Sequence, residues 1–266
     1  MTPTRDLALV TGASSGIGLA LARRLAAENL DLVITAEDDQ LTEVASELRA
    51  SGAEVLVVQA DLRTSAGVED LWAQVVDHGR PLDVAALNAG IGVGGGTFVE
   101  TDLDAHLDVI RLNVLGNVHL AKLVLSDMVA RGQGRVLITS SMVAAMPGPY
   151  QVTYNASKSF LQSFALGLQA ELRGSPVTVT ALMPGAIGTP FFDRAGMSNT
   201  LLGRASKGNP DTVARQAYQA LRRGKRRVVG GGVLSKTGAL LNTVLPDVAK
   251  ARMQEILSKP RRAGTS

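Results

Sequence analysis

Short apolar runs alternate with longer segments of helical periodicity over most of the chain. Seven runs are rich in Val, Ile and Leu with little polar alternation, as is typical of strands buried on both faces of a parallel sheet. They are Leu7–Thr11, Asp31–Ala36, Glu54–Ala60, Leu82–Asn88, Gly134–Ser140, Pro176–Met183 and Arg226–Gly230. The intervening periodicity predicts helices near 16–28, 38–51, 64–78, 101–130, 150–173 and 210–224. This order predicts a single doubly wound α/β domain, with a seven-stranded parallel sheet flanked by helices.

The stretch 184–209 is the longest one without a regular pattern. It follows a strand and mixes glycines with apolar residues such as Phe191 and Met197. Ligands bind at the carboxyl ends of strands in open α/β sheets, so the stretch is predicted to be a lid over a substrate. The alternative is a surface loop that packs its own apolar residues.

Composition excludes several kinds of chemistry. The 266 residues include no cysteine, which rules out disulfides, thiol nucleophiles and Cys-ligated zinc. The three histidines are far apart, so no metal site is expected. A net charge of +3 is too small to indicate a nucleic-acid partner. Only six mostly polar residues precede the first run and no apolar stretch approaches membrane-spanning length, so we expect neither a signal peptide nor a transmembrane helix, and a cytoplasmic location.

A glycine-rich turn follows the first predicted strand. Leu7–Gly18 reads LALVTGASSGIG, so Gly12, Gly16 and Gly18 lie between a strand and a helix. Glycine lets a backbone approach a phosphate closely, and the helix N-terminus offers free N–H groups to it. In this context the turn predicts a pyrophosphate site in a dinucleotide-binding domain of Rossmann type. The remaining loop residues expected to contact the dinucleotide are Ser14, Ser15 and Ile17. The alternative is a turn without a ligand.

Glu37 directly follows the second predicted strand, 19 residues beyond Gly18. A carboxylate there can accept hydrogen bonds from ribose hydroxyls and would repel a 2′-phosphate. The glycine turn holds no Arg or Lys, and Asp38 and Asp39 follow Glu37. NAD is therefore predicted in preference to NADP. The run could also be an acidic helix start favoured by the dipole.

Over residues 5–230 the sequence resembles the short-chain dehydrogenase/reductase family, in its branch of about 250 residues. TGASSGIG at 11–18 is similar to the family's cofactor loop, and Tyr154-Asn155-Ala156-Ser157-Lys158 to its YxASK motif. The resemblance implies an adenine contact at Asp61-Leu62, a cofactor-binding Asn88-Ala89-Gly90, and a catalytic Asn113 in a water-mediated proton relay. It also implies that Lys158 binds the nicotinamide ribose and that four residues hold the nicotinamide carboxamide: Pro184, Gly185, Ile187 and Thr189.

Leu87 stands where that family's NNAG motif has its first Asn. The tail resembles the group often called DltE-like, but many of its members carry Arg near position 37 and use NADP. We divide the chain into a dinucleotide-binding catalytic domain, 1–230, and a helical extension packed on it, 231–266.

Tyr154 and Lys158 suit the chemistry of alcohol oxidation. A free phenol has a pKa of about 10, too high for a good base at neutral pH. Lys158 lies one helical turn beyond Tyr154, so its ammonium, with the positive nicotinamide of NAD⁺, is expected to lower the phenol pKa. Ser141 is expected to hydrogen-bond the substrate oxygen and hold it near Tyr154. The alternative is that Tyr154 and Lys158 lie on a solvated helix face and have no catalytic role.

The candidate substrate pocket is mainly apolar. Besides Ser141 and Tyr154 it comprises Val93, Met142, Val143, Met146, Tyr150, Phe191 and Phe192. We therefore expect a secondary alcohol or ketone on an apolar or alicyclic body, interconverted by an oxidoreductase with Tyr154 as general acid/base.

Two features leave alternatives open. The basic run Arg222–Arg227 is either a helix end whose cations suit the dipole or an anion-binding patch. The segment Val233–Leu257 packs on the active-site side, forms a subunit interface or lies on a membrane surface. A homodimer or homotetramer is expected. A non-catalytic nicotinamide-binding regulator and a membrane-surface protein remain as alternative functions.

Overall fold

The computed structural model describes residues 5–232 and 245–260. Its seven strands form one parallel sheet, as the sequence predicts, and their order is β3-β2-β1-β4-β5-β6-β7. The strands are β1 (Leu7–Thr11), β2 (Asp31–Ala36), β3 (Val55–Gln59), β4 (Leu82–Leu87), β5 (Arg135–Thr139), β6 (Thr178–Pro184) and β7 (Arg227–Gly230). Their bounds differ from the predicted ones by at most two residues at either end.

Helices cover both faces of this sheet because the strand residues are apolar on both sides. Along β1, Ala8 and Val10 join the core beneath one helix layer, whereas Leu7 and Leu9 join the core beneath the other. The first layer contains α1 (Gly16–Ala27), α2 (Leu41–Ala50) and α9 (Pro210–Arg222). The second contains α3 (Ser65–Asp77), α4 (Leu103–Ile110), α5 (Asn117–Arg131) and α6 (Val152–Glu171).

Helices α4 and α5 run on from one another through a π-helical turn, Arg111–Gly116. Single π turns often occur at functional sites, and this one carries the predicted catalytic Asn113. By length and composition the whole run Leu103–Arg131 could cross a membrane. Its inward side, with Leu120, Val124 and Met128, is buried against the sheet, as in the core helix of a globular domain.

The stretch 184–209 is more regular than its sequence indicates. It contains two one-turn helices, α7 (Phe191–Arg194) and α8 (Leu201–Arg204). Phe192, Ala195 and Met197 form a small core of their own inside it. A short 3₁₀ turn, Met142–Ala145, was likewise not predicted.

The chain ends in α10 (Asp247–Ser258), which packs against α8. Gln151, just before α6, donates from Nε2 to the buried Ser258 hydroxyl at 2.7 Å, and Gln254 Nε2 donates to the same oxygen at 3.0 Å. Of the three places expected for Val233–Leu257, these contacts favour the active-site side. Residues 233–244 of that segment lie outside the described residues. The division of the chain at residue 230 stays a prediction.

Two glycines offer opposite tests of this packing. A Cβ on Gly18 would lie 1.9 Å from the Gly12 carbonyl oxygen, whereas a Cβ on Gly167, in α6, would meet nothing within 4 Å. We expect Gly18→Ala to lower the free energy of unfolding by about 3 kcal/mol, because backbone must move. Gly167→Ala should raise it by about 0.5–1 kcal/mol, because alanine loses less backbone entropy in a helix. Urea unfolding measures both, and equal effects would contradict this account.

Candidate active site

The glycine turn joins β1 to α1 at the point where the strand order reverses. Gly12 and Gly16 adopt φ values of 64° and 60°, which favour glycine. Ser15 is the N-cap residue of α1, but its side chain makes no capping hydrogen bond, and the first turn holds no acidic residue. The side chains of Thr64, Asp102 and Asn209, by contrast, cap α3, α4 and α9. The start of α1 therefore leaves N–H groups free for an anion.

Asn88 ties the ends of three neighbouring strands together. Its backbone N–H donates to Thr11 Oγ1 at 2.9 Å and its Nδ2 to the Thr11 carbonyl at 3.2 Å. Its Oδ1 accepts from Thr139 Oγ1 at 3.2 Å. Ala89 N–H also donates to Thr11 Oγ1. The resemblance assigned Asn88 and Ala89 to cofactor binding, and the structure places them directly beside the glycine turn.

Tyr154 and Lys158 project from the first turns of α6 towards the same edge. The Lys158 ammonium lies 5.8 Å from the centre of the Tyr154 ring and donates to the Thr139 carbonyl at 2.9 Å. The Tyr154 hydroxyl is hydrogen-bonded to Ser141, which follows β5. Ser140 has a different task, since its hydroxyl donates to the Lys158 carbonyl at 2.7 Å. The structure thus brings Ser141, Tyr154 and Lys158 together as the spacing indicates.

Burial sets the protonation of this group. It raises the pKa of the Tyr154 phenol to about 12, and the hydrogen bond with Ser141 opposes that only in part. Burial also lowers the pKa of Lys158 to about 8. The protein's own groups alone therefore do not lower the pKa of the Tyr154 phenol. The lowering expected from Lys158 together with the positive nicotinamide of NAD⁺ stays a prediction. The cost of placing a phenolate in a low-dielectric cleft exceeds the attraction of an ammonium behind the ring.

Asn113 is fully buried in the π turn and uses both ends of its amide. Oδ1 accepts from Ile91 N–H at 2.9 Å, and Nδ2 donates to the Ile91 carbonyl and to Ser157 Oγ, each at 2.9 Å. A Cβ on Gly90 would lie 3.0 Å from Asn113 Oδ1 and 3.1 Å from Lys158 Nζ. Asn113 and Lys158 thus both approach Gly90 closely, which places Asn113 near the candidate catalytic pair. Its water-mediated relay stays a prediction.

The stretch 184–209 contacts both the glycine turn and Tyr154. The Phe191 ring lies 5.0 Å from the Tyr154 ring, and a Cβ on Gly92 would lie 2.6 Å from Phe191. Arg194, at the end of α7, lies 3.4 Å from Ser15 Oγ through Nη1. The stretch therefore covers the site as well as packing its own core.

The predicted carboxamide-binding residues run from β6 into this stretch. A Cβ on Gly16 would lie 3.0 Å from Thr189, so Thr189 faces the glycine turn. Ile187 is buried and bridges to Gly208, while Pro184 and Gly185 pair with Gly230 at the end of β7.

The predicted substrate residues surround this part of the cleft unevenly. Val93 belongs to the glycine-rich segment beneath Phe191, and Val143 N–H donates to Ser141 Oγ at 3.3 Å. Tyr150 adopts a left-handed φ of 63° just before α6.

Phe192 lies in the core of the stretch 184–209, with the Lys207 ammonium 4.6 Å from its ring centre, rather than beside Tyr154. Met142 and Met146 are half-buried in and after the 3₁₀ turn. Contact of these residues with a substrate stays a prediction.

The ends of β2 and β3 form an acidic edge with one arginine in its centre. Arg63 donates to Glu37 at 2.7 Å, to Asp61 at 2.9 Å and to Asp108 at 3.3 Å. Leu62, next to Asp61, is buried. Arg63 was not predicted as a neighbour of Glu37, because the two lie 26 positions apart along the chain. The adjacency of β2 and β3 was the signal that could have found it.

These features fit a dinucleotide. Uncapped N–H groups at the start of α1 suit a pyrophosphate, and the close glycine contacts leave no room for side chains there. Glu37 is exposed at the next strand end, where ribose hydroxyls would be met. Among the described residues, no group of His, Asp and Glu could hold a metal ion.

Sheet, glycine turn and Ser-Tyr-Lys group together define an oxidoreductase site on a Rossmann-type domain. A sequence model of the family described as short chain dehydrogenase matches residues 6–199. The chain belongs to this family, as its motifs indicate, and the predicted enzyme class is confirmed. Nothing confirms the DltE-like group within it.

Known relatives agree with this class. The chain is 39% identical over 187 residues to 1-deoxy-11-beta-hydroxypentalenate dehydrogenase of Streptomyces exfoliatus, covering 69% of this chain and 68% of that one. A short-chain dehydrogenase from Sphingobium yanoikuyae in complex with NADPH superposes with a TM-score of 0.79, at 28% identity over 98% of both chains. The 3-ketoacyl-(acyl-carrier-protein) reductase from Brucella melitensis complexed with NADH gives 0.76, at 26% identity over 87% of this chain and 99% of that one.

The raised phenol pKa has a direct spectroscopic consequence. Because the folded-state pKa of Tyr154 is about 12, this side chain should stay protonated through neutral and mildly alkaline pH. Wild type and Tyr154→Phe should show the same ultraviolet tyrosinate titration up to about pH 10, the pKa of a free phenol. One extra tyrosinate in the wild type near neutral pH would contradict the dominance of burial.

Proposed function

We propose that this protein is an NAD(P)-dependent oxidoreductase that interconverts a secondary alcohol and a ketone, with NAD preferred and Tyr154 as general acid/base. The observation that carries the proposal is the grouping of Ser141, Tyr154 and Lys158 between the end of β5 and the start of α6, with the Lys158 ammonium 5.8 Å from the centre of the Tyr154 ring. This group lies at the same sheet edge as the glycine turn. A non-catalytic regulator would not need it.

The residues divide the work. When bound, the nicotinamide supplies or accepts the hydride. Ser141 orients the substrate oxygen towards Tyr154, which lowers the barrier by positioning. Tyr154 carries the proton, and its high pKa keeps it in the donor form that ketone reduction needs. Lys158, anchored on Thr139, supplies positive charge close to Gly90 and Asn113, where a ribose hydroxyl would be held.

Support for NAD comes from Glu37. Its carboxylate stands at the end of β2 and would repel a 2′-phosphate while accepting from ribose hydroxyls. Similar structures carry NADPH in one case and NADH in another, so they support a nicotinamide dinucleotide without choosing between the two.

An apolar ketone or alcohol is the proposed substrate. The Phe191 ring lies 5.0 Å from the Tyr154 ring at an interplanar angle of 46°, so an aromatic side chain stands beside the proposed proton donor. The relative from Streptomyces exfoliatus is by name a dehydrogenase of a hydroxypentalenate, which is consistent with a bulky apolar body.

Assembly into a homodimer or homotetramer and a cytoplasmic location are further proposals. Exposed apolar side chains lie on α4 to α6, among them Leu115 and Phe160, beside a groove of about 400 Å³. Burial of these apolar side chains between two copies of the chain would remove them from water and so lower the free energy. Light scattering tests the proposed assembly, and a monomer at working concentration would contradict it.

Tyr154→Phe tests the proton-transfer role. We expect turnover to fall by about 10²–10⁴-fold, because general acid/base catalysis is lost. NADH binding, followed by fluorescence titration, should change little because the ring remains. Tyr218→Phe, which alters a tyrosine on α9 away from Ser141, is the matched control and should retain turnover. Normal activity of Tyr154→Phe would remove Tyr154 from its role.

A substrate panel tests the pocket. Ketones with bulky apolar or alicyclic bodies should give higher kcat/KM than short polyhydroxylated or phosphorylated ones, because the cleft around Tyr154 offers aromatic and aliphatic contacts. The panel is run at a saturating concentration of the better dinucleotide. Preference for a highly charged compound would contradict the proposed substrate class.

A further inference from the structure

The guanidinium of Arg63 is shared by three carboxylates that come from different parts of the chain. Nη2 donates to Glu37 Oε2 at 2.7 Å, Nε to Asp61 Oδ1 at 2.9 Å, and Nη1 to Asp108 Oδ2 at 3.3 Å. Glu37 follows β2, Asp61 follows β3, and Asp108 belongs to α4. Each nitrogen of the fork thus has its own acidic partner at the edge where the adenosine ribose is proposed to lie.

The three partners do not hold Arg63 equally. Asp61 accepts two hydrogen bonds from Arg63, one from the side chain and one from the backbone N–H at 2.9 Å. The hydrogen bond from Arg63 lowers the pKa of Asp61, and Asp61 is the main cause of the raised pKa of Arg63. The side chain of Glu37 is the most exposed of the three acids, at 54% against 39% for Asp61 and 31% for Asp108. Loss of the Glu37 charge would therefore leave Arg63 in place, with Nη2 no longer paired with an anion.

Glu37 can serve the ribose while it occupies Arg63. The guanidinium engages Oε2, which leaves Oε1 as an acceptor for a ribose hydroxyl. A 2′-phosphate in the same place would need a cation, and the fork of an arginine matches phosphate oxygens well. Glu37 and a 2′-phosphate would then compete for the same nitrogen.

We propose that Arg63 is a masked 2′-phosphate-binding residue and that Glu37 masks it. Cofactor preference is then set by whether the Glu37 carboxylate or the phosphate of NADP(H) pairs with Nη2 of Arg63. This inference rests on the proposed function, since it concerns the same dinucleotide site. It differs from simple repulsion by Glu37, because it assigns the attraction to a named cation.

The test is a double-mutant cycle read by equilibrium binding. Kd values for NADH and NADPH are measured by calorimetry at fixed ionic strength for the wild type, Glu37→Gln, Arg63→Gln and the double variant. The control is Glu47→Gln, which removes the same charge from another exposed pair, Arg23–Glu47 at 2.7 Å between α1 and α2.

Glu37→Gln should bind NADPH at least ten-fold more tightly than the wild type, about 1.4 kcal/mol, with NADH weakened by no more than a few-fold. Addition of Arg63→Gln should abolish that gain, and Glu47→Gln should change neither Kd. NADH binding by each variant reports an intact site. Should Arg63→Gln not fold, Arg63→Met keeps the apolar stem of the side chain and replaces it.

Two outcomes would overturn the inference in different ways. If the double variant binds NADPH as tightly as Glu37→Gln, repulsion by Glu37 alone governs the preference between NADH and NADPH. The proposed function then stands without a role for Arg63. If no protein in the series, wild type included, binds either dinucleotide, the proposed function fails and this inference falls with it.

Discussion

The reversal of strand order at β1 decides where every candidate functional group lies. Because β1 pairs with β2 on one side and β4 on the other, the chain leaves the ends of β1 and β4 towards opposite faces, and a crevice remains between them. The crevice exists only if backbones can approach closely. A Cβ on Gly18 would lie 2.7 Å from the Asn88 amide as well as against Gly12, so glycine there is a steric requirement of the fold. As a result, the free N–H groups of α1 and the Ser-Tyr-Lys group lie at the same edge of the sheet.

Within that edge, burial and charge act against each other. Tyr154 and Lys158 are each pushed towards the neutral form, since a low-dielectric cleft penalises phenolate and ammonium alike. A neutral phenol suits proton donation, whereas proton removal from an alcohol needs additional positive charge nearby. The protonation of Tyr154 is thus coupled to the charge of whatever occupies the crevice, and only in part to the protein's own residues.

The strands of the sheet and the candidate catalytic group could be predicted because their determinants are local. A buried strand followed by a glycine turn, and Tyr154 one helical turn from Lys158, are readable from a few consecutive residues. Two contacts could not be predicted in this way, because their residues are far apart along the chain. Arg63 lies 26 positions from its partner Glu37, and Gln151 lies 107 positions from its partner Ser258. The raised pKa of Tyr154 could not be predicted either, since it depends on burial by the whole fold.

The same distinction separates the two ends of the cleft. The cofactor end is built mainly from β1, β2 and the turns that follow them, and most of its residues can be recognised from short motifs. The substrate end is assembled from distant segments: a Cβ on Gly94 would meet both Met197 and the Tyr150 carbonyl, and α10 holds Gln151. Small changes in any of these segments can reshape the pocket without disturbing hydride or proton transfer. Family membership therefore establishes the reaction class far more firmly than the substrate, and the shape contributed by 184–209 and α10 has to be tested directly.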